Sequence, residues 1–125
     1  MLTCFKTDEV MILGTPWWIK VKTYEEDPLF KKKDCDGYAN CVTRELVLCD
    51  RATFPGCEGE TEMERMEAMR ATLRHEIVHA FLDESGLQAN ALAYDGSWSK
   101  NEEMVDWIAI QGPKLHAAWE QAGAL

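Results

Sequence analysis

Long apolar runs are missing from this sequence of 125 residues. No stretch is apolar for long enough to cross a membrane, and the N-terminal residues, which include the acidic pair Asp8 and Glu9, lack the apolar segment of a signal peptide. Internal repeats, low-complexity tracts and linkers are also missing. We therefore expect a cytoplasmic protein that folds as a single domain over residues 1–125.

The cysteines lack the spacing of a disulfide framework or of a thiolate metal site. There are 5 of them, an odd number, and no two stand in a CxxC pattern. Small disulfide-rich domains pair their cysteines, and thiolate zinc knuckles use CxxC spacing. We therefore expect free thiols in a reducing compartment.

Basic residues are few compared with acidic ones. The chain has 13 Lys and Arg against 22 Asp and Glu, which gives a formal net charge of -9, and its only basic cluster is the run Lys31–Lys33. An acidic surface repels phosphate groups and acidic lipids. We therefore expect neither nucleic acid nor a membrane as a partner.

The first half of the chain has the pattern of β-strands. Residues 10–13 and the segment PWWIKVKTY, in which Ile19 and Val21 alternate with Lys20 and Lys22, predict two strands joined through Gly14. The polar segment EEDPLFKKKDCDGYAN predicts a long loop. The segment CVTRELVLCD predicts a third strand, or a hairpin that turns near residues 43–45. The expected sheet is small, and either antiparallel or mixed.

The second half has the pattern of two helices. Thr61 followed by Glu64 predicts a helix start, a stripe of apolar residues follows at helical spacing, and Gly86 predicts the end; the stripe is Met66, Met69, Leu73, Ile77 and Phe81. Ser99 followed by Glu102 predicts the start of a second helix, which Gly112 and Pro113 should kink or interrupt. Together with the strands, these helices predict an α+β fold.

The first helix carries the motif HEIVH, which supplies two histidines and a glutamate. His75 and His79 are four residues apart, so their imidazoles lie on one helix face about 5 to 6 Å apart and can bind the same ion. Glu76 projects beside that position, as the carboxylate of HExxH zinc sites does. The alternative is an ordinary helix in which His75 and Glu76 are surface residues and His79 is a hydrogen-bonded core residue.

A catalytic zinc site needs a third protein ligand besides the two histidines. Three acidic residues on the second helix, one loop downstream, are candidates: Glu102, Glu103 and Asp106. Glu102 and Asp106 are four residues apart and share a helix face, so one could bind metal while the other accepts a hydrogen bond from an imidazole.

The pair of motifs HEIVH and NEEMVD resembles the zinc metallopeptidases called gluzincins, and EEMVDWIA is similar to the short ImmA/IrrE-type metallopeptidases of bacteria and phages. The resemblance covers about residues 72–110, although the second lobe of large gluzincins is missing. It implies a minimal zincin-like fold, in which a small N-terminal sheet packs on the active-site helix and a C-terminal helix supplies a glutamate. It also suggests a phage or prophage origin.

The same resemblance assigns roles to individual residues. Glu102 would be the third zinc ligand, with the adjacent Glu103 as the alternative, and Asp106 would orient a ligating histidine. Glu76 would be the general base that activates water for hydrolysis of a peptide or protein substrate.

Some parts of the predicted mechanism remain open at this point. Tyr94 and His116 are candidate donors to the developing oxyanion, and residues 41–50 are a candidate sheet edge for a substrate strand. Two other functions also fit the motifs. One is a non-enzymatic regulatory or interaction module in which zinc is only structural, and the other is a zinc hydrolase that acts on a small amide.

Overall fold

The computed structural model describes residues 5–87 and 98–125, and it has an α+β fold. The described elements are four strands, three α-helices and two short 3-10 turns. In chain order they are β1 (Glu9–Ile12), β2 (Thr15–Lys22), α1 (Leu29–Lys33), β3 (Gly37–Asn40), β4 (Glu45–Cys49), a 3-10 turn (Arg51–Thr53), α2 (Glu62–Glu84), a second 3-10 turn (Trp98–Lys100) and α3 (Glu102–Gln121).

The strands form one mixed sheet in the order β1-β2-β4-β3. β1 is antiparallel to β2, β2 is parallel to β4, and β3 is antiparallel to β4. The predicted strands at residues 10–13 and 16–24 correspond to β1 and β2. Between them, Leu13 and Gly14 both have positive φ values, 49° and 85°, which give the tight twisted turn of a hairpin.

β4 is one of the two inner strands of the sheet and is buried on both faces. Leu46 packs with Ala80 of α2, whereas Val47 and Cys49 pack with Phe30 of α1 on the opposite face. The prediction that residues 41–50 form an exposed edge is therefore wrong, because β4 lies between β2 and β3. The predicted turn is close to the observed one at residues 41–44, but the other strand of the hairpin is β3.

The predicted loop over residues 25–40 is also wrong, because this segment contains α1 and β3. α1 is held by one buried side chain, Phe30, and the rest of its sequence is a polar lysine run. β3 has the sequence GYAN, whose Gly and Asn are poor strand formers, and its pairing with β4 overrides that preference. β3 is a sheet edge among the described strands.

α2 begins and ends close to the predicted positions. The hydroxyl of Thr61 accepts a hydrogen bond from the amide of Glu64 at 3.2 Å, and Gly86, with φ at 86°, follows the end of the helix at Glu84. The predicted apolar stripe is only partly the buried face. Phe81 is 40% exposed, and the buried residues of α2 are Glu76 and Ala80.

α3 begins two residues later than the predicted cap. The side chain of Asn101, not Ser99, accepts a hydrogen bond from the amide of Met104 at 3.0 Å. The helix continues through Pro113, so the predicted interruption is not found, and a kink, the alternative, stays a prediction. Proline in a helix interior costs about 3 kcal/mol, because it removes one backbone hydrogen bond and its ring collides with the preceding turn. Among the helices that the structure describes, none has the length and apolarity needed to cross a membrane.

Candidate metal centre

α2 and α3 pack against each other and bring the two sequence motifs together. His79 meets Glu102 and His75 meets Asp106, so the two helices run in opposite directions at this point. Because Glu102 and Asp106 are four residues apart, both face α2 from the first turns of α3. The side chains of the two motifs, each set spaced to share one helix face, thus form a single cluster.

Four potential ligand atoms converge in this cluster. Nε2 of His75 lies 3.1 Å from Oε2 of Glu102, and Nε2 of His79 lies 3.0 Å from Oε1 of the same carboxylate. The two Nε2 atoms are 3.2 Å apart. Within residues 5–87 and 98–125, His75, His79 and Glu102 are the residues with a geometry that could hold a metal ion.

The other ring nitrogen of each histidine is engaged by an acceptor. Nδ1 of His79 lies 2.7 Å from the carbonyl oxygen of Ser99, and Nδ1 of His75 lies 2.7 Å from Oδ1 of Asp106. A carbonyl or carboxylate oxygen can only accept, so each Nδ1 carries the proton and donates it. Nε2 of each ring therefore faces the cluster, and a histidine that binds metal through Nε2 is held by the same arrangement, in which Nδ1–H donates to an outer acceptor.

The spacing of these atoms fits a tetrahedral zinc ion. Zinc binds imidazole nitrogen and carboxylate oxygen at about 2.0 to 2.2 Å, so two ligands at a tetrahedral angle are roughly 3.3 to 3.5 Å apart. The observed separations are 3.0, 3.1 and 3.2 Å. Each of these separations is slightly shorter than the tetrahedral value, and the carboxylate spans the two histidines with one oxygen to each. The donor set, two imidazoles and one carboxylate, therefore fits a cation such as zinc.

Glu76 lies beside the cluster at the bottom of a cleft. Its side chain is buried, and Oε1 is 4.0 Å from Nε2 of His75. Among the described residues, none donates a hydrogen bond to this carboxylate. Burial raises the pKa of Glu76 to about 7; the nearby His75 opposes this shift and the charge of Glu102 adds to it. A carboxyl group with a pKa in this range can accept and release a proton near neutral pH.

The cleft has a volume of about 960 Å³; α2, β3 and α3 supply most of its lining, and the rest comes from α1, the second 3-10 turn and the segments on either side of β3. α2 forms its floor, β3 forms one wall and α3 forms the other. β3 approaches α2 closely at Gly37, where an added Cβ atom would stand 2.6 Å from Cγ2 of Thr72. The hydroxyl of Thr72 donates to Oδ2 of Asp36 at 3.1 Å, which ties the start of β3 to the helix.

The structure separates the two glutamates that the sequence left as alternatives. The carboxylate of Glu102 contacts both histidines, whereas Glu103 is exposed and does not belong to the cluster. Asp106 lies where the resemblance places it, against His75.

Of the two candidate oxyanion donors, His116 lies away from this site and Tyr94 falls outside the described residues. His116 is 14 positions beyond Glu102 on α3, roughly 21 Å along the helix axis at 1.5 Å per residue. Its side chain is exposed and lies 3.7 Å from Glu120. The prediction for His116 therefore finds no support in the geometry.

Two features of the site were not anticipated from the sequence. The acceptor for His79 is a backbone carbonyl, that of Ser99, and a backbone atom leaves no signal in residue identity. The second feature is the cleft wall formed by β3, because the sequence predicted a loop for this segment.

Comparisons with protein-family models, with curated proteins and with solved structures found no match to this chain. The metallopeptidase resemblance therefore depends on the two motifs and on the geometry of the residues within them.

Proposed function

We propose that this protein is a zinc-dependent, metallopeptidase-like hydrolase of peptide bonds with a minimal zincin-like fold. His75, His79 and Glu102 bind the metal, and Glu76 is the general base. The observation that carries this proposal is the convergence of two imidazole Nε2 atoms and one carboxylate, with each Nδ1 already donating to an acceptor.

The chemistry divides between the metal and Glu76. When bound, zinc supplies a Lewis acid and a water of lowered pKa. The carboxylate of Glu76 takes a proton from the attacking water and then gives it to the leaving amine. Its burial and its lack of a hydrogen-bond donor among the described residues leave both oxygens available for this transfer. Asp106 and the carbonyl of Ser99 keep the two imidazoles in the required tautomer.

An extended peptide is the substrate that best suits the cleft. β3 pairs with β4 on one side only, and it forms the cleft wall opposite α3. A substrate strand could add to this edge through backbone hydrogen bonds. This feature favours a peptide over a small amide, which would not need an open strand beside the metal.

The number of ligands favours an enzyme over a purely structural zinc site. Catalytic zinc sites use three protein ligands and keep one position for water or substrate, whereas structural sites use four. The cluster formed by the described residues has three members, and they open onto a cleft.

Metal analysis tests the proposed ligands. Protein purified without a histidine tag should contain about one zinc per chain. His79→Ala and Glu102→Gln should each lower the zinc content or weaken zinc binding by roughly 10-fold or more. Glu103→Gln is the matched control, because it removes the same charge one residue away, and it should bind zinc like the unmodified protein.

Cleavage of a mixture of peptides, followed by mass spectrometry, tests the proposed reaction. The zinc-loaded protein should produce fragments, and a chelator should stop their formation. Stoichiometric zinc binding without any cleavage would favour the structural zinc module instead. Cleavage that persists when zinc is absent would contradict the proposed chemistry.

A further inference from the structure

α3 buries few of its side chains completely against the rest of the described protein. It packs chiefly against α2, and only two of its side chains, Val105 and Ala109, are buried. Both are small, so their burial contributes little of the apolar area that usually docks a helix. The second half of α3, beyond Gly112, is largely exposed.

The polar contacts between α3 and the other described elements all lie at the metal cluster. They join Glu102 to His75 and His79, and Asp106 to His75. A cation at this position would be bound from both helices at once, by the two Nε2 atoms of α2, which are 3.2 Å apart, and by the carboxylate of Glu102 on α3. The three ligands would then join α3 to α2 through the ion.

α3 also has a sequence that is unstable as an isolated helix. Gly112 and Pro113 stand in its middle and are the two poorest helix formers. They divide its 20 residues into stretches of about ten and about eight, and isolated helices that short are marginal in water even for favourable sequences. If α3 leaves α2, it should therefore lose helical structure as well as its position.

We propose that cation binding by His75, His79 and Glu102 is what holds α3 on α2, so that the α3 wall of the cleft is in place only in the metal-loaded protein. This inference rests on the metal binding proposed above and adds a means of regulation to it. In the metal-free form the sheet and α2 stay folded, because their core, which includes Trp17, Leu46 and Ala80, does not involve α3. Zinc availability then controls whether the substrate cleft exists, in addition to supplying its Lewis acid.

Hydrogen–deuterium exchange read by mass spectrometry tests this inference on the whole chain. The protein is compared with and without zinc sulfate at pH 8, so that protons compete little with the metal for the imidazole nitrogens. Backbone amides in peptides covering residues 102–121 should exchange roughly 10-fold or more slowly with zinc. Peptides covering β4 should change little, because its burial is independent of the metal.

Two variants make the comparison specific to the cluster. Glu102→Gln should remove the zinc-dependent protection of α3, and Glu103→Gln should keep it. A protein that binds zinc stoichiometrically but shows equal α3 exchange in both states would overturn this inference and leave the proposed hydrolase intact. A protein that binds no zinc at all would overturn both. Equal loss of protection in the two variants would also contradict the inference, because the effect would not depend on the ligand.

Discussion

Asp27 and Glu76 are equally buried, each only 5% exposed, but they lie on opposite sides of β3 and in opposite surroundings. Asp27 receives hydrogen bonds from the hydroxyl of Tyr38 at 2.6 Å and from the amide of Leu29 at 3.0 Å, and Lys22 lies 3.8 Å away. Glu76 has no hydrogen-bond donor among the described residues, and it lies in the cleft beside the candidate ligands His75, His79 and Glu102.

The pKa values of the two groups move in opposite directions. Burial alone would raise the pKa of Asp27, but the hydrogen bonds from Tyr38 and Leu29, together with nearby lysines, outweigh it and hold the pKa below its ordinary value. Burial raises the pKa of Glu76 to about 7, because more protein atoms surround it than surround Asp27 and, among the described residues, no donor compensates for the lost water. Equal exposure to solvent therefore does not mean an equal role. Asp27 is a structural carboxylate, and Glu76 has the surroundings of a group that transfers protons.

The largest expected difference between the two carboxyl groups is in hydrolysis. Glu76→Gln keeps the shape of the side chain and should keep the metal, but it should lower the rate of peptide cleavage by roughly 10² to 10⁴-fold, which is the usual contribution of general acid–base catalysis. Asp27→Asn should leave the rate per folded molecule nearly unchanged. Both rates are measured on zinc-loaded protein. Undiminished cleavage by Glu76→Gln would refute the general-base assignment.

Stability should show the reverse order. Asp27→Asn replaces a charged acceptor that holds Tyr38 and the amide of Leu29, so it should lower the free energy of unfolding by about 2 kcal/mol. Glu76→Gln removes a buried carboxyl group that has no donor, so in metal-free protein it should be neutral or slightly stabilising. Urea unfolding at pH 7 measures both. If Glu76→Gln lowered the free energy of unfolding more than Asp27→Asn, the assignment of Asp27 as the structural carboxylate would be contradicted.

A third experiment perturbs only the side of β3 that faces Glu76. Gly37→Ala places a methyl group 2.6 Å from Cγ2 of Thr72 and should lower the free energy of unfolding by about 1 to 3 kcal/mol. Thr72→Ser removes that methyl group and keeps the hydroxyl, so the double variant should recover part of the loss. Gly59→Ala is the control, because nothing lies within 4 Å of its added Cβ atom. Equal stability of the Gly37→Ala and Gly59→Ala proteins would contradict the close contact between β3 and α2.

The smallest expected effect is the acid dependence that Asp27 confers. The pKa of Asp27 is lower in the folded protein than in the unfolded chain, so its stabilising contribution is fully present above the unfolded value of about 4. The contribution is lost as the pH falls through the folded pKa. Asp27→Asn should therefore lose less stability than the unmodified protein below about pH 4, as measured by thermal unfolding across a pH series. If both proteins lost the same stability as the pH falls below about 4, the lowered pKa of Asp27 would be contradicted.

The spacing of the motif side chains could be predicted from the sequence more readily than the sheet beside them. The spacing of His75 and His79 on a capped helix is a local property, and so is the spacing of Glu102 and Asp106; each motif could therefore be placed before the structure was known. β3 could not be predicted in this way, because GYAN has little strand preference and becomes a strand only by pairing with β4. The α+β class was predicted correctly, but the zincin-like relationship stays a prediction.

The burial of Glu76 and of β4 required the packed structure. Periodicity placed the apolar stripe of α2 through Phe81. Leu73 and Ile77 of this stripe do pack against the core, but the most deeply buried positions are Glu76 and Ala80, and Phe81 is exposed. Similarly, CVTRELVLCD has the composition of a strand, but only the strand order shows that β4 is an inner strand. The hydrogen bond between His79 and the carbonyl of Ser99 also could not be predicted, because every residue has a backbone carbonyl and the sequence does not show which one lies near His79.

The central claim is that two imidazoles and the carboxylate of Glu102 bind zinc, and X-ray absorption at the zinc edge of the loaded protein tests it most directly. The account predicts two imidazole ligands and oxygen ligands at about 2.0 to 2.2 Å, with fewer protein oxygens in Glu102→Gln and an unchanged spectrum in Glu103→Gln. A sulfur ligand at about 2.3 Å, or a spectrum with a single imidazole, would contradict it.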